Sequence, residues 1–94
     1  MFEWDESKRQ ANLAKHHVDF QDGKRIFDGP IFERAESRHG EDRMVAIGLM
    51  EDSEIVAVYV MRGERRRIIS SRRASRDERK AYKNHIRRAK KGQD

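Results

Sequence analysis

"RMVAIGLMEDSEIVAVYVMRGERRRIIS", Arg43 to Ser70, decides the fold. It holds two near-continuous apolar runs, Arg43–Met50 and Glu54–Met61, joined by Glu51, Asp52 and Ser53. Short apolar runs between turn residues read as strands, and side chains that are apolar on both faces need cover on both faces. The runs therefore predict an antiparallel hairpin of central strands. Arg62-Gly63-Glu64 is the next tight turn, with Gly63 free to take a positive φ. Arg65–Ser70 then forms a third strand, and Ser70-Ser71 makes a bend after it.

Upstream, Ile31–Glu36 reads as a modest edge strand and Ser37–Asp42 as a loop. Phe2–Trp4 alternates apolar and charged, a short strand. Asp5 stands where an N-cap belongs, ahead of a helix over Glu6–His16 with a weak apolar face of Ala11, Leu13 and Ala14. Asp19 caps a second helix whose apolar face is Phe20, Ile26 and Phe27. Val18 is placed as its hydrophobic staple, and Gly29-Pro30 ends it. Downstream, Ser75-Arg-Asp-Glu78 is a capping box that opens a helix to about Lys90. Tyr82, Ile86 and Ala89 form its thin apolar stripe. The expected class is α+β: one domain over residues 1–94. It should hold an antiparallel four-stranded sheet, two N-terminal helices, a short N-terminal strand and a C-terminal helix.

Charged residues are 41% and hydrophobic ones 35% of the 94 residues, so the core is thin. There is no cysteine, which excludes disulfide and thiolate chemistry. The apolar runs are far too short to span a bilayer, and the first residues lack a signal-peptide core. A soluble cytoplasmic protein without membrane contact is expected. The net charge of +5 hides an asymmetry. Residues 62–94 carry fourteen lysines and arginines against four acids, while residues 1–61 carry eight against thirteen. A basic third on an acidic body suits a polyanion partner, although a charge run also serves as a solvated face or pairs with an acidic protein.

Arg72 and Arg73 precede the capping box and Arg76 sits in the first turn, where the helix dipole disfavours cations. Free N–H groups beside guanidinium forks make an anion site suited to phosphate. The alternative is salt bridging to Asp77, Glu78 or the acidic N-terminal half. On the preceding strand Arg65, Arg67 and Ile69 share one face, and Arg66 and Ile68 the other. Arg67, beside the apolar segment, is a candidate for holding a phosphate or for snorkelling over the sheet edge. Lys15, His16 and His17 end the first helix. Histidine is the usual proton-transfer group near neutral pH but also simply suits a helix C-terminus. Trp4 and Tyr82 offer rings for base stacking or for core packing. The histidines lack metal-ligand spacing, and there is no Gly-rich phosphate loop.

"FEWDESKRQANLAKHHVDF", "RIFDGP" and "RIISSRRASRDERKAY" together resemble the BrnT toxins of type II BrnT–BrnA toxin–antitoxin pairs. The matching positions include Trp4, Asp5, Lys8, Asn12, Lys15, His16, Val18, Phe20, Arg67, Arg72, Ala74, Glu78 and Tyr82. His17 departs from the pattern by replacing a glycine at the helix C-cap. The resemblance implies a RelE-like fold and a ribonuclease that arrests translation. It also implies neutralisation by a BrnA-like antitoxin of ribbon-helix-helix type, with promoter DNA bound only through the complex. The expected chemistry is metal-independent and needs no cofactor: an RNA 2′-hydroxyl attacks the adjacent phosphate. Arg67 and Arg72 hold that phosphate, with Arg73 and Arg76 in support, and Tyr82 is a further RNA contact. Lys8, Lys15 and His16 add charge or proton transfer, and either His16 or Glu78 is the general base. The rival expectations are a non-catalytic basic binding module and an inactive toxin relic.

Overall fold

The computed structural model describes residues Met1–Lys91. The chain order is β1 (Phe2–Glu3), α1 (Glu6–His16), α2 (Phe20–Arg25), a 3₁₀ turn (Ile26–Asp28), β2 (Phe32–Arg38), β3 (Glu41–Met50), β4 (Ser53–Arg62), β5 (Arg65–Arg73) and α3 (Arg76–Lys91). The expected α+β class and element order hold. The sheet differs from expectation: it is five-stranded and mixed, ordered β1-β5-β4-β3-β2. β1 pairs in parallel with β5, Phe2 opposite Arg66 and Glu3 opposite Arg67. Two residues carry no signal for a partner more than sixty positions away, so this pairing is invisible in the sequence.

β3 and β4 are central and buried on both sides, as their composition demands. On the rear face, Val18, Phe20, Ile26, Ala46, Ile55, Ala57, Tyr59 and Ile68 form one core under α2 and the 3₁₀ turn. On the front face, Val45, Ile47, Val56, Val58, Ala74 and Tyr82 form a second core, with Phe32, Ile69 and Ile86 packed against it under α3. The α3 stripe is Tyr82 and Ile86; Ala89 is exposed. Gly48 is required by packing, since a Cβ there would stand 2.7 Å from Ile26 Cβ.

Several local expectations need correction. The Ser37–Asp42 loop contracts to a two-residue turn, His39-Gly40, with φ of 53° and 74°. Two successive positive φ values match the right-handed twist of a hairpin, so β2 and β3 pair up to the turn. The supposed bend at Ser70-Ser71 is strand: β5 continues to Arg73 with Ser71 fully buried. Val18 does not staple α2, because the N4 position is Gly23; it enters the rear core instead. α2 closes its first turn with a capping box in which Asp19 and Asp22 reciprocate. Asp5 caps α1 by accepting from the Lys8 N–H at 3.1 Å. At the other end His17 itself takes the left-handed conformation, φ 59° and ψ 24°, and donates its N–H to the Leu13 carbonyl. The helix thus ends as it would with glycine, at a cost of about 1–2 kcal/mol for the side chain.

α1 docks by polar contact. Ala11, Leu13 and Ala14, its expected apolar face, are exposed, and no residue of the helix is fully buried. Arg9 reaches Asp19 at 2.8 Å. Asn12 reaches β5: its Nδ2 donates to the carbonyls of Ser71 (2.7 Å) and Val18 (3.0 Å). Its Oδ1 accepts from the Ser71 N–H (3.2 Å) and the Ser70 hydroxyl (3.4 Å). The edge of β5 is covered by β1 at Arg66–Arg67 and by the Asn12 amide at Ser71. The amide offers the donor–acceptor pair that a neighbouring strand would offer.

Candidate functional site

The register across β4 and β5 is interrupted by a bulge. Val60 opposes Arg67 and Tyr59 opposes Ile68, but Val58 opposes Ser70 and Val56 opposes Arg72. Ile69 is the extra residue. Val56, Val58 and Val60 alternate onto the front face, so the bulge puts Arg67 and Arg72 on that face together although they are five residues apart. In a regular strand an odd and an even position would face opposite ways. This one irregularity puts the two arginines on the same face, in rows four β4 residues and so about 13 Å apart along the strand.

The front face divides in two. α3 covers the rows through Val56 and Val58. Beyond them the β3–β4 pairing ends at Met44–Tyr59, and the outer pairs Glu36–Arg43 and Arg38–Glu41 on one side and Val60–Arg67 and Arg62–Arg65 on the other leave an open area rich in arginine. A hollow of about 290 Å³ lies there, lined by Arg43, Val60, Arg62, Arg67, Ile69 and Ser70, with Glu41 beside them and Lys8 reaching in from α1. Lys8 and Arg67 are therefore brought together.

Each key arginine is held by a carboxylate. Arg67 Nη1 donates to Glu3 Oε2 at 2.6 Å, so the parallel β1 strand orients it. Arg72 forks onto Glu78, with Nη1 to Oε1 at 2.7 Å and Nη2 to Oε2 at 2.9 Å. Glu78 also completes the capping box: Oε1 accepts from the Ser75 N–H at 2.8 Å while the Ser75 hydroxyl accepts from the Glu78 N–H at 3.2 Å. About a third of each side chain, 29% for Arg67 and 32% for Arg72, remains exposed, and neither pair consumes all five guanidinium donors. The hydrogen bond from Arg72 holds the Glu78 carboxyl down at about 2, with the Ser75 backbone assisting against the effect of burial. The same pairing raises Arg72 above its ordinary value.

A carboxylate so depressed is a poor proton acceptor at neutral pH, and both of its oxygens are engaged by Arg72 and the Ser75 N–H. The depressed folded value also sets a pH dependence. Stability from this contact is present above the ordinary glutamate value of 4.5 and is lost as pH falls from there toward 2. In acid titrations followed by circular dichroism, Glu78→Gln is expected to be less stable than wild type at pH 7. The gap should narrow through that window; an unchanging gap would contradict the assignment.

Other expected site residues are placed differently. Tyr82 is core: it is 3% exposed, its hydroxyl donates to the Pro30 carbonyl at 2.9 Å, and burial raises its pKa. Its ring is not presented to a base. Trp4 packs edge-on against Phe20. Arg66 lies on the rear face, its guanidinium 4.6 Å from the Phe27 ring centroid and 5.4 Å from that of Tyr59. Arg73 and Arg76 are exposed at the end of β5 and the start of α3. Among the described residues no side-chain hydrogen bond or ion pair engages Lys15 or His16, which end α1. Asn12 is the residue that reading the sequence for chemistry passed over. Its signal is a polar side chain in the middle of a helix whose apolar face, Ala11, Leu13 and Ala14, is weak.

A family model described as "Ribonuclease toxin, BrnT, of type II toxin-antitoxin system" matches residues 4–78. The chain belongs to the BrnT family. The match begins at Trp4 and ends at Glu78, and so spans the Asn12 clamp, Arg67 and the Arg72–Glu78 fork. The Brucella abortus ribonuclease toxin BrnT, known from a crystal structure at 1.1 Å, is 32% identical. That similarity covers 81% of this chain and 99% of that one, with a TM-score of 0.60. No curated protein sequence matches the chain. Membership makes it a BrnT-type ribonuclease toxin of a type II system, with an antitoxin as its partner. No helix among the described residues is long and apolar enough to cross a membrane.

Proposed function

We propose that the open half of the front face is where this BrnT-family toxin binds and cleaves RNA, by a route that needs no metal ion. The observation that carries the reading is the bulge at Ile69, which puts Arg72, under the start of α3, on the same face as Arg67 in the open half. The 2′-hydroxyl of the RNA attacks the neighbouring phosphorus, the bond to the 5′-oxygen breaks, and a 2′,3′-cyclic phosphate and a 5′-hydroxyl result. Arg67 and Arg72 bind the phosphate oxygens and stabilise the negative charge that grows on them. Arg73 and Arg76 support them at the helix start, and Lys8 and Lys15 add positive charge along α1. His16 takes or gives the proton, a role that falls to it because Glu78 is committed to Arg72 and Ser75.

RNA cleavage of this kind would halt translation and stop growth. A ribbon-helix-helix antitoxin of BrnA type would neutralise the toxin and carry the complex to promoter DNA. The architecture is read as RelE-like and the chain as one domain acting in the cytoplasm. Expression alone in a bacterial host tests the reading, together with incubation of purified protein and total RNA in EDTA. Growth arrest and fragments ending in 2′,3′-cyclic phosphate are the expected results. Normal growth with intact RNA would leave an inactive relic, and RNA binding without backbone cleavage a regulatory module.

A further inference from the structure

Five cations of α3 are not used by the site above or serve only at its margin. Arg76, Arg79, Lys80, Lys83 and Arg87 line one shallow concavity of about 420 Å³ together with Asn84. Their spacing of three and four residues makes a single stripe along the helix, flanking Tyr82 and Ile86, which pack against the sheet and border a neighbouring hollow with Lys83 and Arg87. All five are exposed. Like charges at these spacings destabilise a helix, and a cation in the first turn opposes the dipole. Internal compensation is slight. Lys83 Nζ lies 3.9 Å from Glu54 Oε1, and Arg79 Nη1 donates to the Ala74 carbonyl at 3.1 Å. Of the two carboxylates in its first turn, Glu78 belongs to Arg72, and among the described residues no ion pair engages Asp77. The helix thus tolerates self-repulsion that an external row of anions would relieve. From Arg79 onward the stripe lies outside the family match, which ends at residue 78.

We propose that this stripe is a second RNA track, which takes the phosphate backbone of the strand as it leaves the Arg67–Arg72 site. The inference rests on the reading of that site as the place of RNA cleavage. The two are joined through the first turn of α3, where Arg76 stands two residues before the Glu78 that holds Arg72. At about 1.5 Å of rise per residue the stripe from Arg76 to Arg87 runs for about 16 Å, room for several nucleotides. No aromatic ring lines it, so it grips phosphates without reading bases.

The test compares wild type with Lys80→Gln/Lys83→Gln/Arg87→Gln on two labelled substrates, a trinucleotide and a single-stranded RNA of about twenty nucleotides. Thermal melting checks that both proteins are folded. The triple variant is expected to cleave the trinucleotide as wild type does and to keep its kcat on the long RNA. Its KM for the long RNA should rise about tenfold or more. The slope of log affinity against log salt should fall by about two, at ~0.7 for each phosphate that is no longer neutralised. An unchanged KM and salt slope for the long RNA overturns the proposal. So does a poly-glutamate peptide that binds the stripe more tightly than the long RNA does, which would reassign it to an acidic protein. Wild type that cleaves neither RNA overturns the reading of the Arg67–Arg72 site, and the track falls with it; that failure is seen in wild type, not in the variant.

Discussion

Arg72→Ala is expected to slow RNA cleavage by about two to three orders of magnitude while leaving a folded protein, the usual loss when one donor to a charge developing in the transition state is removed. The structure separates the catalytic loss from unfolding. Without Arg72, Glu78 still accepts from the Ser75 N–H, so the capping box survives and α3 still starts at Arg76. Arg67→Ala should act similarly, because Glu3 keeps Arg65 within 3.7 Å and β1 remains paired. Arg72→Lys is the sharper variant. One ammonium cannot fork onto Glu78 and also present directed donors to a phosphate, so most of the loss should persist despite the retained charge. If both arginines grip one phosphate, the double alanine variant should lose less than the product of the single losses. Cleavage rates on one defined RNA, with melting curves alongside, settle each point. Wild-type rates in either single variant would remove that arginine from the mechanism.

Asn12→Ala is expected to have the largest effect of any single change outside the arginines, and on two readouts. The first is stability. The Ser71 N–H and carbonyl lie on a fully buried residue and both end on the Asn12 amide. Leaving buried backbone groups unpaired costs about 1–3 kcal/mol each, and a total of about 2–4 kcal/mol is expected after relaxation. At about 4–8 °C per kcal/mol for a domain of this size, the melting point should fall by about 10 °C or more. The second is cleavage. Ser70 and Ser71 follow the bulged Ile69 directly, so the clamp fixes the step that turns Arg72 onto the front face. Measured well below the melting point, Asn12→Ala should still be slower than wild type. The defect should largely vanish when Arg72 is already alanine. Equal fractional losses in both backgrounds would make Asn12 a purely structural residue.

The sequence was most informative where composition forces burial. Two apolar runs with no polar face left β3 and β4 no place but the centre of a sheet, and Asp5, Asp19 and Ser75 marked helix starts through the N–H groups they satisfy. It was least informative where a polar residue does a core residue's job. Ser70 and Ser71 looked like a bend because serine is common in turns; here Asn12, fifty-nine residues away for Ser71, pairs its backbone and keeps it strand. The helix that carries Asn12 seemed to need an apolar face for the same reason. The arginines were legible as a charge cluster, since three of them crowd a helix start where positive charge is unwelcome. Their alignment was not, because counting positions puts 67 and 72 on opposite faces, and only the bulge reverses that. Tyr82 misled because a ring beside a basic helix start serves a base or a core equally well, and burial decides.

The proposed RNA site is a place on the protein, and locating bound RNA on the folded chain tests it most directly. Isotope-labelled wild type can be titrated with a 2′-O-methyl RNA, which offers the same phosphates but has no free 2′-hydroxyl to attack them. The side-chain Nε–H signals of Arg67 and Arg72 and the backbone signals of Val60, Ile69 and Ser70 are predicted to shift together and saturate with one affinity. Shifts elsewhere on the surface with these signals unmoved would place RNA binding away from Arg67 and Arg72.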